Sequence, residues 1–205
     1  MERRTLIQMA FLSAGALFLP ELSRAADSST PSLIDIIKTR RSVRAYNGEA
    51  ISDADLKTIL ECGMLAPSAA NEQPWEFVVI NDKSVLDKIG SINHYASYAS
   101  KAPLAILVCL DLQKEKEKGM GVLDIACACE NMLLAAHALG LGGVFTGIYP
   151  YKDRMEGFQK LVNLPSTVEP ISLLVFGHPK MNNNRVPDRF QQADVHYNTW
   201  DKTSQ

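Results

Sequence analysis

The chain has 205 residues, of which 46% are hydrophobic and 21% are charged, a balance typical of one ordinary folded domain with a sizeable core. Its formal net charge is -2, so no excess of positive charge is available to hold a polyanion, and a nucleic-acid partner is not expected. No apolar run reaches the roughly 18 residues that a membrane-spanning helix needs, which argues against stable membrane insertion.

The N-terminal segment differs from the rest of the chain. Arg3-Arg4 precede an uncharged stretch at residues 5–20, and small residues stand at Ser23 and Ala25. This order is typical of a secretory signal, and the paired arginines resemble those of a twin-arginine signal. We therefore expect residues 1–25 to be an export signal and the mature protein to be periplasmic. The alternative is an uncleaved anchoring or amphipathic segment, and without a working signal the protein stays in the cytoplasm.

Two helices are predicted after a polar linker at residues 26–32. The first is brief, and its apolar face contains Leu33, Ile36 and Ile37. The second begins after Ser52, because Asp55 stands three residues later in the capping-box position. Apolar residues at helical spacing follow, and Gly63 and Pro67 are expected to end this helix.

Four apolar runs predict strands, and a small helix is expected at residues 82–89 between the first two. The run Leu104–Leu110 has no polar residue, so this strand is expected to be covered on both faces. Because strands and helices interleave, the natural architecture is a sheet wrapped by helices. The predicted strands are Phe77–Ile80, Leu104–Leu110, Val144–Thr146 and Ile171–Phe176.

A long helix is predicted from Gly121 to Leu139, and almost every side of it is apolar. Such a helix has to be buried all round, in a core or in a subunit interface.

Several kinds of chemistry have no support in the sequence. Dinucleotide-binding and phosphate-loop glycine motifs and the G-x-S-x-G serine motif do not occur, and the four histidines are not at metal-ligand spacing. The cysteines do not form a disulfide framework and are expected to be buried apolar side chains. They are Cys62, Cys109, Cys127 and Cys129.

A basic cluster follows the first helix. Arg40, Arg41, Ser42 and Arg44 place three guanidinium groups and a hydroxyl within five residues. Arginine binds phosphate through paired, planar hydrogen bonds, so this cluster predicts an anion site. The alternative is a solvated basic turn.

A polar loop is predicted between the second helix and the first strand, at residues 66–75. Two prolines fix its backbone, and Ser68, Asn71 and Gln73 offer uncharged donors and acceptors that suit the polar edge of a flat heterocycle. It could also be an ordinary connecting loop.

These motifs together resemble the nitroreductase family. Arg-Arg-Ser-x-Arg is followed by Ala-Pro-Ser-x-x-Asn-x-Gln-Pro-Trp, by a similar central helix at 124–143 and by Gly177-His178-Pro179. A closing segment with Arg189-Phe190 and Trp200 completes the match. The resemblance implies an α+β fold, with a central mixed sheet wrapped by helices in an intertwined homodimer, and an FMN-binding domain at residues 33–205.

The resemblance also implies cofactor contacts at the dimer interface. Arg40, Ser42 and Arg44 would hold the FMN phosphate and one ring edge, with Arg41 at another common contact position. Arg189 would complete the phosphate site, and Arg185 is the second candidate.

The isoalloxazine ring would meet further residues of both subunits. By similarity, Pro67, Ser68, Asn71 and Gln73 would approach it from the partner subunit. Phe145, Thr146 and Gly147 would pass beside it. Some members of the family carry glutamate where this chain has Gly147, so the preferred substrate is open.

The implied activity is hydride transfer from NADH or NADPH to a small acceptor such as a nitroaromatic or a quinone, with ping-pong kinetics. No side chain need act as a nucleophile. Three alternatives remain open. One is other FMN chemistry, such as reductive removal of a substituent or oxidation of a ring, and another is a flavin-binding protein without turnover. The third is a cofactor-free interaction domain that has kept the family scaffold.

Overall fold

The computed structural model describes residues 31–181 and 185–200, so the predicted export signal and most of the predicted linker lie outside the described residues. The α-helices are α1 (Leu33–Thr39), α2 (Asp53–Met64), α3 (Lys83–Ile92), α4 (Gly121–Ala138) and α5 (Lys152–Val162). The strands are β1 (Trp75–Ile80), β2 (Leu104–Asp111), β3 (Gly142–Gly147) and β4 (Val168–Gly177). Short 3₁₀ helices occur at Ala69–Asn71, His94–Lys101 and Gln192–Asp194.

The four strands form one sheet in the order β1-β2-β4-β3, and each neighbouring pair is antiparallel. A parallel bridge between Ser42 and Gly143 extends the sheet beyond β3, so its pairing is mixed at that edge. The predicted α+β class, with a sheet wrapped by helices, is confirmed.

The core lies on both faces of the sheet. The β2 side chains from Leu104 to Leu110 are all buried, because successive residues point alternately into the two halves of the core. This confirms the prediction for the second strand. The observed first strand is longer and more exposed than the short buried strand predicted at Phe77–Ile80. It begins at Trp75, lies at an edge of the sheet, and leaves Val79 36% exposed.

The start of α2 is confirmed, because the Ser52 hydroxyl accepts from the Asp55 backbone N–H and donates to its carboxylate. The predicted role of Gly63 is wrong, since the helix continues through it to Met64. A Cβ at Gly63 would lie 2.7 Å from Cγ of Met132. This glycine therefore permits close packing of α2 on α4.

Helix α4 is not buried all round within one chain. Eight of its residues are buried, but Leu123, Cys127 and Glu130 lie on an exposed face. The prediction that all four cysteines are buried is confirmed for Cys109 and Cys129, but Cys62 is only partly buried and Cys127 is exposed. Of the described helices, α4 is the one long and apolar enough to cross a membrane by length and composition, and it packs in the core against α2 and the sheet.

Candidate active site

The basic cluster is attached to the edge of the sheet. Ser42 forms the parallel bridge with Gly143, and the Val43 N–H donates to the Gly143 carbonyl at 3.0 Å. The approach is close enough that a Cβ at Gly142 would lie 2.7 Å from Cβ of Val43. The backbone is thus fixed on β3, while the side chains of Ser42 and Arg44 are exposed.

A cavity of about 750 Å³ opens beside this segment. Its lining is basic, with Arg41, Arg44, Lys180 and His137, and none of its lining residues carries a carboxylate. The Arg44 guanidinium lies 5.9 Å from the centre of the Tyr98 ring. An anion in this cavity would meet unneutralised positive charge.

Arg40 lies on the other side of the cluster. It lines a second cavity, of about 280 Å³, together with Arg41, Ser42 and Arg189. Its Nε is 3.3 Å from the Glu130 carboxylate, so part of its charge is already balanced. The structure thus brings Arg189 close to the basic cluster.

Arg41 makes bonds within the chain. Its guanidinium donates to the backbone carbonyl of Arg40 and, through two nitrogens, to that of Arg185. These bonds attach the C-terminal segment to the basic cluster. Arg41 lines both cavities, but its guanidinium is already hydrogen-bonded to these two carbonyl groups.

Two basic residues of the large cavity, His137 and Lys180, are absent from the sequence-based site. His137 hydrogen-bonds the Thr39 hydroxyl at 2.8 Å, and burial, together with the charges of Arg40 and Arg41, lowers its pKa. Its neutral form is therefore favoured, and the bond ties α1 to the C-terminal end of α4. Lys180 lies at the cavity, where its backbone N–H donates to the Ala45 carbonyl at 3.0 Å.

The predicted ring-contacting loop is well ordered by its own polar groups. The Gln73 N–H donates to the Ser68 hydroxyl at 3.0 Å, and its side-chain amide donates to the Asn71 side chain at 3.1 Å. The Ala69 N–H donates to the buried carboxylate of Asp124 at 3.1 Å. Pro67 is exposed beside them.

This loop and the basic cluster contact α4 at different positions. The loop is attached at Asp124, whereas Arg40 lies beside Glu130 and Thr39, which precedes the cluster, bonds to His137. At a rise of ~1.5 Å per residue, Asp124 and His137 are about 20 Å apart along the helix. One chain therefore does not bring together all the predicted contact residues.

Strand β3 lies next to the basic cluster, because Ser42 and Val43 pair with Gly143. Phe145 is 45% exposed, while Thr146 is buried and hydrogen-bonded to the Tyr98 hydroxyl. The Gly147 carbonyl accepts a hydrogen bond from Arg154 at 3.3 Å. Phe145–Gly147 thus continues the edge that carries Ser42.

Comparisons with known proteins agree with this geometry. A model of the nitroreductase family matches residues 37–96 and 93–178. A protein from Methanothermobacter thermautotrophicus, named provisionally as an NADH dehydrogenase/NAD(P)H nitroreductase, is 40% identical over 168 residues, which are 82% of this chain and 87% of the relative.

Two solved structures have the same fold. A provisionally named NADH oxidase from Clostridium acetobutylicum is 37% identical, with a TM-score of 0.78 over 80% of this chain and 99% of the other. A provisionally named nitroreductase from Desulfovibrio desulfuricans, solved in complex with FMN, is 32% identical, with a TM-score of 0.69 over 80% and 94% of the two chains.

Proposed function

The chain belongs to the nitroreductase family, and we propose that it is an FMN-dependent oxidoreductase that passes electrons from NADH or NADPH to small acceptors such as nitroaromatics or quinones. The observation that carries this proposal is the basic cavity at the edge of β3. A phosphate ester would provide the negative charge that its lining residues lack.

The residues present fit FMN. Arg44, Ser42 and Lys180 would hold the phosphate in the large cavity, with Arg40 and Arg189 next to it. Bound FMN would supply the redox chemistry, because it can take a hydride from a nicotinamide and return two electrons to an acceptor.

The strand beside the cavity would orient the reactants. The exposed ring of Phe145 provides an apolar surface for a planar molecule, and Thr146 is held in place by Tyr98. Because no charged side chain from Phe145 to Gly147 competes for this surface, a nicotinamide and an acceptor could use it in turn. Protons for the reduced acceptor would come from water.

We also propose that the active unit is a homodimer. The exposed face of α4 suits a second copy of the same helix, and a twofold axis perpendicular to α4 would pair the two antiparallel. The partner's loop, with its copies of Ser68, Asn71 and Gln73, would then lie near the basic cluster of the first subunit. This arrangement would unite the groups that α4 separates within one chain.

Steady-state kinetics test the shared site. NADH and a quinone such as menadione should give parallel double-reciprocal lines, because the donor has to leave before the acceptor enters. Intersecting lines would contradict a shared site. Loss of the flavin's absorbance with NADH but no turnover with any acceptor would favour other FMN chemistry, and a flavin that stays oxidised would favour a binding protein.

Export by the twin-arginine route is part of the proposal. That route carries folded proteins, so FMN could be inserted before export. The physiological electron donor in the periplasm would then be a different compound, since NADH and NADPH are scarce outside the cytoplasm. Periplasmic protein that begins at Ala26 would support export, whereas intact cytoplasmic protein, unchanged when Arg3 and Arg4 are replaced by lysine, would contradict it.

A further inference from the structure

A cluster of one arginine and two tyrosines lies where β3 ends and α5 begins. The guanidinium carbon of Arg154 is 4.1 Å from the centre of the Tyr151 ring and 5.5 Å from that of Tyr95. Both tyrosines are largely exposed, at 52% and 61%. A guanidinium over aromatic rings is a favourable contact, and arginine and tyrosine are enriched at binding surfaces.

Arg154 is held in a fixed position next to Gly147. Its Nη1 donates to the Gly147 carbonyl at 3.3 Å, and the buried Asn93 amide donates to the same oxygen at 3.4 Å. Within residues 31–181 and 185–200, the guanidinium makes no other hydrogen bond and no ion pair with a carboxylate. The remaining donors are therefore available to a ligand.

The space beside Gly147 is open. A Cβ added at Gly147 would meet nothing nearer than the Tyr149 carbonyl oxygen, at 4.0 Å. The absence of a side chain therefore leaves room for part of a ligand at Gly147, the residue whose carbonyl oxygen Arg154 contacts.

We propose that Arg154 is a specificity-determining residue that binds the carboxylate or sulfonate of a planar aromatic acceptor, while Tyr151 and Tyr95 contact the face of its ring. The inference rests on the proposed function, in which the acceptor reacts beside Phe145–Gly147. A guanidinium pairs with a carboxylate through two parallel hydrogen bonds, so an anionic acceptor gains an interaction that a neutral one lacks.

Among the anionic groups of the donor, the 2′-phosphate is the one that NADPH has and NADH lacks. It lies at the opposite end of the dinucleotide from the nicotinamide ring. Arg154 touches Gly147 itself, at the strand end beside which the ring would react. This proximity favours an anion carried on the acceptor.

The test compares 4-nitrobenzoate with 4-nitrobenzamide as acceptors, with NADH as the donor. In each case the nitro group gains two electrons and two protons and loses water to give a nitroso group. NADH gives up a hydride, which supplies both electrons and one proton, and becomes NAD⁺, while the second proton comes from water. The measured quantity is the ratio of the two kcat/KM values. Comparing this ratio between variants cancels the intrinsic reactivities of the two compounds.

Arg154→Met should lower the benzoate-to-benzamide ratio by about tenfold or more, with most of the loss in the benzoate value. Arg154→Lys should keep part of the preference, because it keeps the charge. Lys152→Met, in the same exposed turn of α5, is the matched control and should leave the ratio unchanged. A ratio that Arg154→Met does not change would overturn the proposal.

A second variant covers the case in which Arg154→Met does not fold. Gly147→Glu keeps Arg154 and adds a carboxylate in the open space beside it, so the preference for 4-nitrobenzoate should disappear. A preference that persists in this variant would contradict the proposal.

Three further outcomes are distinguishable. An Arg154→Met variant that loses preference for NADPH over NADH, but keeps the benzoate ratio, would assign the arginine to the donor and overturn the inference. Wild-type protein whose flavin NADH does not reduce would contradict the proposed function and the inference with it. If the wild type reduces both compounds but substitution of Arg154 does not change the ratio, the proposed function holds and the inference about Arg154 is overturned.

Discussion

Arg44 is the residue at which the proposed cofactor site is tested most simply. Its side chain is exposed and lines the large cavity, and no ion pair to it occurs among the described residues. Arg44→Ala should therefore weaken FMN binding by about 1.5–3 kcal/mol, the worth of a hydrogen bond to a charged group. The FMN dissociation constant, measured by quenching of flavin fluorescence, should rise at least about tenfold.

Lys57→Ala is the control for Arg44→Ala. Lys57 is also exposed, and it faces Glu61 on α2 at 3.6 Å, outside both cavities that the basic cluster lines. Its loss should not change FMN affinity. Flavin retention by Arg44→Ala equal to that of wild type would show that the phosphate binds elsewhere.

Single residues could be predicted where they belong to a motif. Arg40, Ser42 and Arg44 stand in one short pattern, and the structure places them together at the sheet edge. His137 and Arg154 could not be predicted in the same way, because each is a lone basic residue whose place depends on tertiary contacts. His137 meets Thr39 across nearly a hundred residues of sequence, and no local pattern encodes that contact.

At the scale of elements, the contact between β3 and the basic segment positions the site. Gly142→Ala would place a Cβ within 2.7 Å of Val43 and force the two backbones apart. We expect a loss of about 1–3 kcal/mol in the free energy of unfolding, typical of overpacking, and weaker FMN binding by the folded protein. Urea unfolding and flavin titration measure the two effects.

Gly157→Ala is matched to Gly142→Ala. Its Cβ would lie 2.5 Å from Ile92, so it overpacks the contact between α5 and α3 in a similar way. It should lose stability but bind FMN normally. Equal FMN affinities in the two variants would indicate that the spacing between β3 and the basic segment does not matter for the cofactor.

Elements were predictable where one face is plainly apolar and the ends carry recognisable caps. Helix α2 begins at the predicted cap, and β2 is buried as its composition requires. Helix α5 has no counterpart among the predicted elements, because Phe158 is its single fully buried residue and its other positions are largely polar. The edge position of β1 depends on which strands pair, and composition does not specify pairing.

At the scale of the whole molecule, the chain leaves many large apolar side chains exposed. They are found on α1, on α4 and in the C-terminal segment, and surface of this kind usually marks an interface. We expect a second copy of the chain to cover it. The side chains include Leu33, Ile34, Ile37, Leu123, Val186, Phe190 and Trp200.

Cysteine reactivity tests this interface. Burial raises the pKa of Cys109 to about 12 and that of Cys129 to about 11, so neither thiol should react in the folded protein. Cys127 is exposed in one chain but lies on the α4 face that the dimer would cover. Leu123→Arg should produce a monomer in which iodoacetamide modifies Cys127, as read by mass spectrometry, whereas wild type should be protected.

Sedimentation of the same two proteins provides the control, because Leu123→Arg should also lower the mass to that of one chain and weaken FMN binding. A wild-type protein that sediments as a monomer, or whose Cys127 reacts at the rate of an unfolded peptide, would contradict the dimer.

The division of the site between two ends of α4 could not be predicted from residue patterns alone. The sequence places Ser68 and Arg44 in separate motifs, and the contacts that hold these motifs to α4, at Asp124 and, through Thr39, at His137, are about 20 Å apart along the helix. The resemblance to the family predicts a partner subunit, and the geometry supplies the physical reason for one.

The absorption spectrum of the purified protein tests the central claim most directly. After incubation with FMN and removal of the excess, the protein should show the bands of a bound oxidised flavin. Anaerobic addition of NADH should bleach these bands, and addition of menadione should restore them. Protein that retains no flavin, or whose bound flavin stays yellow with both NADH and NADPH, would contradict the proposal that this chain is an FMN-dependent oxidoreductase.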